Sequence, residues 1–290
     1  MKKTWLLVLI LGLLVFAGCL QKPAATVNGA VISQAEVEKE AARRYGKEVL
    51  DDLIIIKLVD QDFNKKKLKL DEKDMQERSA KMMELYSIKN KLESGATSQA
   101  DFMKNYRMLS ELRMLLGDKI NEARLKTMYD AHKDSFSAVH PQVLICTDAK
   151  MAAKIQEDLK KGADFGKLAA QFNPGELKKN NGDLGFLLPS DMALNILYKA
   201  GMEMKPGQVK MLPLGNGEIC LVKLLDKWTT FDQVRFLMED GSVTQLAPSL
   251  LQELKSSAKI KTMYDQKAPK ESRAPRGNQA PQAPEAPQGK

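Results

Sequence analysis

QVLICTDAKMAAKIQEDLKKGADFGKLAAQFN (residues 142–173), NNGDLGFLLPSDM (180–192) and KPGQVKMLPLGNGEICLVKLLDK (205–227) follow one another at short intervals. QVLICT reads as a short apolar strand. Residues 148–161 are amphipathic, with Ala152, Ile155 and Leu159 on one helical face, and Gly162 stands where a glycine ends a helix. ADFGKLAAQF predicts a second helix whose Phe165, Leu168, Ala169 and Phe172 face a sheet. Gly182-Asp183-Leu184-Gly185-Phe186 predicts a turn and a strand, with Asp183 as a turn former. Lys205-Pro206-Gly207 predicts another turn and EICLVKLL the last strand. Helices, a loop and then strands fit a small α+β domain with an antiparallel sheet.

From end to end this stretch resembles a parvulin-type peptidyl-prolyl cis-trans isomerase domain. The resemblance implies X-Pro bonds of other proteins as substrate and a chemistry that needs no nucleophile. The barrier, about 18–20 kcal/mol, comes from amide resonance. Such an enzyme lowers it by holding proline in an apolar pocket and binding the twisted amide better than either planar form. The family's polar groups include a histidine on the first strand, another on the last, and a Cys or Asp in the loop; its pocket includes a Met and a Phe. Carried over residue by residue, the first histidine falls on Gln142, before VLI, and the second on Cys220, before LVK. The loop residue falls near Gly175, the pocket Met on Met192 and the pocket Phe near Ile196. The resemblance thus implies Gln142 and Cys220 at degenerate catalytic positions and Met192 and Ile196 at substrate-binding ones. Gln142 still donates and accepts hydrogen bonds. Cys220 is a weak donor without a cationic neighbour in sequence, and reads as a buried inert thiol. His140 lies on the same strand face as Gln142 by period two. It either replaces the lost ring or is a partly exposed histidine before Pro141.

The flanks extend the resemblance. Apolar residues around Asn28-Gly29 predict a hairpin. Ser33 with Glu36 predicts a capped helix start. Residues 47–67 carry apolar side chains around most of the helix circumference and predict a central helix. Further helices are predicted over 71–86, 98–116 and 122–133, and two helical stretches over 231–239 and 248–255. VNGAVIS with VLDDLIIIKLVDQ resembles the N-terminal region of the SurA/PrsA type, and NEARLKTMYDAHKDSF, with Tyr129 and Phe136, resembles the helix leading into its isomerase domain. The fold implied is α+β: a helical chaperone-like domain, built from residues 25–137 and 229–264 together, with an inserted parvulin (FKBP-like) domain over 138–228. Residues 265–290, rich in Pro, Ala, Gln and Lys, are expected to be disordered.

At the N-terminus, Lys2 and Lys3 precede an apolar run from Trp5 to Ala17, too short for a comfortable bilayer span and suited to a secretory signal. Phe16-Ala17-Gly18-Cys19 resembles a bacterial lipobox, departing from it at Phe16, where Leu is commoner. This implies a signal peptide over 1–18, lipidation of Cys19, and a tether over 19–24. A plain signal peptide or a retained anchor are the alternatives. Cys146 and Cys220 are then left in a compartment that permits a disulfide; both sit in apolar strands and read as free buried thiols.

The formal net charge of +8 favours anionic surfaces, but Lys and Arg are spread over helices rich in Asp and Glu, so nucleic acid is not an expected partner. With two histidines and no ligand spacing, neither a metal nor a Ser-His-Asp hydrolase is expected, and no cofactor is implied. Met75, Met82, Met83, Met103, Met108, Met114 and Met128 form either a surface adaptable to many unfolded segments or ordinary core. The leading expectation is an extracytoplasmic, lipid-anchored folding factor on the periplasmic face or outer cell surface. It binds unfolded or nascent exported chains and their proline-containing segments, with weak or lost isomerase activity. An active isomerase with rearranged polar groups, and a non-catalytic envelope assembly lipoprotein, are the alternatives.

Overall fold

The computed structural model describes residues 23–215 and 217–263. The lipobox-like segment with Cys19, and the Pro-rich tail over 265–290, lie outside the described residues. The chain divides into two units, one of residues 1–51 with 259–290 and one of residues 52–258.

In the first unit, β1 (Pro23–Val27) pairs with β2 (Ala30–Ser33) in an antiparallel hairpin. Its turn residues Asn28 and Gly29 have φ of 50° and 86°, the left-handed geometry a two-residue hairpin demands. The helix α1 (Gln34–Lys65) starts on the expected capping box: Ser33 Oγ accepts the Glu36 amide at 3.2 Å and Glu36 Oε2 accepts the Ser33 amide at 2.7 Å. This helix is not central along its length. Val49 and Leu53 are exposed, and only Leu58, Val59 and Phe63 are buried.

The second unit continues with α2 (Glu72–Met83), α3 (Tyr86–Glu93), α4 (Gln99–Leu116), α5 (Glu122–Ala131) and α6 (Lys133–Phe136). Next come β3 (Ala138–Cys146), α7 (Ala149–Lys160), α8 (Phe165–Phe172), α9 (Gly175–Lys179) and α10 (Asn195–Glu203). The strands β4 (Val209–Pro213) and β5 (Ile219–Trp228) precede a last helix, α11 (Phe231–Ser257). The two C-terminal helical stretches are therefore one helix, with Pro248 inside it. Side-chain burial overrides the proline: Val243, Ala247 and Leu250 pack with Val59, Leu112 and Leu116 in one core cluster. Polar groups between α2, α4 and α11 are paired as burial requires. Arg78 bridges Asp74 and Glu239, and Arg113 bridges Asp74 and Asp240, whose carboxylate also accepts the Tyr106 hydroxyl at 3.0 Å. None of the seven methionines noted above is exposed; their side chains are core or part of its rim.

The sheet runs β3-β5-β4, antiparallel throughout. On one face, Leu144, Cys146 and Leu221 pack on Ala152, Ile155, Phe165 and Ala169 of α7 and α8. Phe172, expected on this sheet, is 38% exposed because its helix ends there. The other face carries Val143, Val222, Leu224 and Cys220 against Leu184, Leu197 and Tyr198. The Gly182–Phe186 segment forms isolated bridges to β3 and Leu85 rather than a regular strand. Gly182, at φ 77°, passes so close that a Cβ there would lie 2.0 Å from the Val143 carbonyl oxygen, so only glycine fits.

Candidate active site

The ladder's parity decides which side chains meet. Ile145 lies opposite Cys220 and Val143 opposite Val222, while Gln142 lies opposite Lys223. Successive strand residues point to opposite faces. Cys220 therefore shares the face of Val143 and Ile145, and Gln142 shares the face of Leu144 and the α8 helix.

On the Cys220 face the structure forms a cavity of about 240 Å³. Val143, Ile145 and Cys220 make its floor; Leu177, Leu184, Leu197 and Leu214 make its walls, and Ile196 and Leu194 line it from α10 and the turn before it. Of the residues carried over from the sequence, the structure brings Ile196 and Cys220 into one pocket. Met192 opens the turn above it and is 76% exposed, while the residues after it, Ala193 and Leu194, reach the lining. Gln142 is turned away. Its Nε2 donates to the Asn181 carbonyl at 2.9 Å, and Gly166 of α8 makes room for it, since a Cβ there would sit 3.0 Å from that nitrogen. Gly175 begins α9 at φ 56°, a conformation that excludes most side chains.

Cys220 is 2% exposed, and burial, with Cys146 nearby, pushes its thiol up to about 12. Cys146 is pushed up to about 11 by burial and by Asp148. Both thiols are free and stay protonated at neutral pH. Among the described residues, the pocket lining thus offers apolar surface and one neutral thiol and no charged group.

His140 does not replace the missing ring. It stands two residues before Gln142 on β3 and so takes Gln142's face, opposite the pocket; the register shift beside it leaves the extra residue, Leu225, on β5. Its Nε2 lies 2.8 Å from Asp183 Oδ1 and its ring 4.6 Å from that of Phe186. Asp183 also accepts the Gly185 amide at 2.7 Å and the Lys89 ammonium of α3 at 3.0 Å. Burial alone would push the Asp183 carboxyl up; the His140, Gly185 and Lys89 contacts overcome it and hold the group well below the usual carboxylate range. Asp183 is the hub of a structural network, not only a turn former.

Asn173 was not marked by the sequence. Its amide donates to the Val143 carbonyl and its oxygen accepts the Ile145 N–H, both at 2.8 Å, so one side chain replaces a missing neighbour strand. Its partners are backbone atoms 28 and 30 positions away, and no spacing signals such a pairing.

Residues 120–235 match the family described as "PPIC-type PPIASE domain". The "Foldase protein PrsA" of Geobacillus sp. (strain WCH70) is 29% identical over 201 residues, covering 68% of this chain and 69% of the relative. The "Foldase protein PrsA 2" of Bacillus anthracis is 27% identical, with 72% of each chain covered. The crystal structure of foldase protein PrsA from Streptococcus pneumoniae str. Canada MDR_19A is 17% identical and covers 83% of this chain and 96% of its own, with a TM-score of 0.36. A match to the PPIC-type domain thus spans the pocket, and over most of its length the chain is similar to PrsA foldases.

Proposed function

We propose that this extracytoplasmic foldase holds proline-containing segments of unfolded exported chains in the Cys220 pocket and accelerates their isomerisation weakly or not at all. In this reading residues 138–228 are the segment-binding domain, residues 25–137 and 229–264 the client-holding helices, and Cys19 the lipid-bearing residue.

One observation carries it: the pocket lining is apolar apart from a protonated Cys220, and Gln142 lies on the other face of the sheet. Burying a proline ring there stabilises the complex by about 1.5–3 kcal/mol. That gain is the same for cis, trans and twisted amides, so it tightens binding without lowering a barrier of about 18–20 kcal/mol. Acceleration requires polar groups aimed at the twisted amide, and the pocket presents only a weak thiol donor.

The test is a proline-limited refolding assay on the chain without residues 1–19, beside binding of a permanently unfolded client. The expected result is client binding with a refolding rate close to the uncatalysed one. Acceleration comparable to that of an active parvulin, lost in Ile196→Ala, would overturn the proposal and favour an isomerase with rearranged polar groups.

A further inference from the structure

The sheet has two edges, and they are treated differently. Along β3 the outward groups are those of Val143 and Ile145. Val143 N–H bonds the Gly182 carbonyl at 2.8 Å, and Asn173 takes the Val143 carbonyl and the Ile145 N–H. Three of those four groups are thus paired.

Along β4 the parity follows from the bonds that flank the strand. Leu224 N–H donates to Gln208 O at 3.0 Å, and Leu214 N–H to Glu218 O at 2.8 Å. Antiparallel ladders alternate, so Lys210 and Leu212 bond β5, and the N–H and C=O groups of Val209 and Met211 point away from the sheet. Among the described residues nothing bonds these outward groups, and Val209, Lys210, Met211 and Pro213 are all exposed. The usual defences of an edge are weak here. The Lys210 ammonium is held by Glu203 at 2.7 Å, and Pro213 only ends the strand. The side chains on the outward-bonding residues are apolar: Val209 is 39% and Met211 42% exposed.

We propose that the open edge of β4 binds an extended segment of an unfolded client by strand addition, with apolar side chains at alternate client positions lying beside Val209 and Met211. The proposal rests on the foldase reading and adds a second, proline-independent contact to it. Backbone donors and acceptors recognise any extended chain, and the alternating apolar pair selects the kind of segment a folded protein would bury. Leu214, just past the end of β4, is a wall of the apolar pocket, so a segment running along the strand is led to that pocket. The strand's two outward N–H groups suit weak, reversible capture.

The test uses the full chain in nanodiscs and a labelled, proline-free peptide of alternating Thr and Val. The expected result is saturable binding, slowed hydrogen exchange at Val209 and Met211, and about a tenfold weaker affinity when the peptide's alternate amides are N-methylated, as loss of one or two hydrogen bonds predicts. Met211→Pro should weaken binding similarly, because the amide it removes lies outside the β5 ladder and an edge strand tolerates proline there. Equal affinity of the methylated peptide for the unaltered chain overturns the proposal whether or not the proline variant folds. So does protection confined to Leu197 and Leu214. A dimer of the unaltered chain that Met211→Pro dissociates, with no peptide bound, would assign the edge to a second copy and also overturn it. Loss of peptide binding with client holding intact sinks only the edge; peptide binding with no client holding sinks the foldase mechanism above and leaves the edge standing.

Discussion

Cys220 and Gln142 stand on opposite faces of the β3–β5 ladder, because Cys220 pairs with Ile145, three residues beyond Gln142. An odd offset on a strand always separates faces. The two positions where the family resemblance implies catalytic rings therefore do not form a single polar site. The pocket is left to apolar side chains and a neutral thiol.

Gln142→Ala tests the assignment of Gln142 to structure. The amide donates to the Asn181 carbonyl and is 9% exposed. Its loss should cost about 1–2 kcal/mol through the missing bond and the space left. Urea titration should show that loss, while prolyl-peptide affinity and any residual isomerase rate stay unchanged. A selective fall in rate would instead place Gln142 in the chemistry.

Asn173→Ala should be more damaging. The side chain is 3% exposed and satisfies both the Val143 carbonyl and the Ile145 N–H. Leaving these buried groups unpaired costs about 1–3 kcal/mol each, so about 2–6 kcal/mol together is expected. Denaturant midpoint measures the total, and faster exchange at the Ile145 amide locates it.

What the sequence disclosed, and what it withheld, follows from range. The Asn28-Gly29 turn, the Ser33–Glu36 box and Gly162 at the end of α7 are decided within a few residues, and all stand as expected. Strand positions were legible too, since Ile145 and Cys220 lie in apolar runs. The face each strand residue takes was not. Which face holds the pocket depends on the register between β3 and β5, set by contacts about 80 positions apart, and that register puts Gln142 and His140 on the face opposite Cys220. Strand and loop landmarks place Gln142 at the family's histidine position, and landmarks carry no information about pairing. The α1 helix shows the converse: its residues 47–67 are apolar enough to be central, yet Val49 and Leu53 stay exposed.

Asp183 sets an acid limit. Its carboxyl is held below the ordinary range, so it contributes stability that is present above the unfolded carboxylate value, near 3.9, and is lost as pH falls toward the folded value. His140, Lys89 and the Gly185 amide face it. Asp183→Asn should lower stability at neutral pH and flatten the acid limb. The gap between the two proteins should be constant near neutrality and close progressively below about pH 4. Urea midpoints between neutral pH and strong acid measure this; a gap independent of pH would remove the carboxylate from the account.

Pro248 supplies the last prediction. It lies on the exposed side of α11, between buried Ala247 and Leu250. Inside a helix proline removes a hydrogen bond and crowds the carbonyl one turn earlier, at a cost of about 3 kcal/mol. Here the core contacts of Val243, Ala247 and Leu250 with α1 and α4 hold the helix together despite it. Pro248→Ala keeps those contacts and restores the amide, so it should stabilise the fold by about 1–3 kcal/mol and raise the urea midpoint, offset in part by the freer unfolded chain. If the same variant also weakens client binding, Pro248 serves the helix's binding role; if binding is unchanged, the proline is a local cost that packing outweighs.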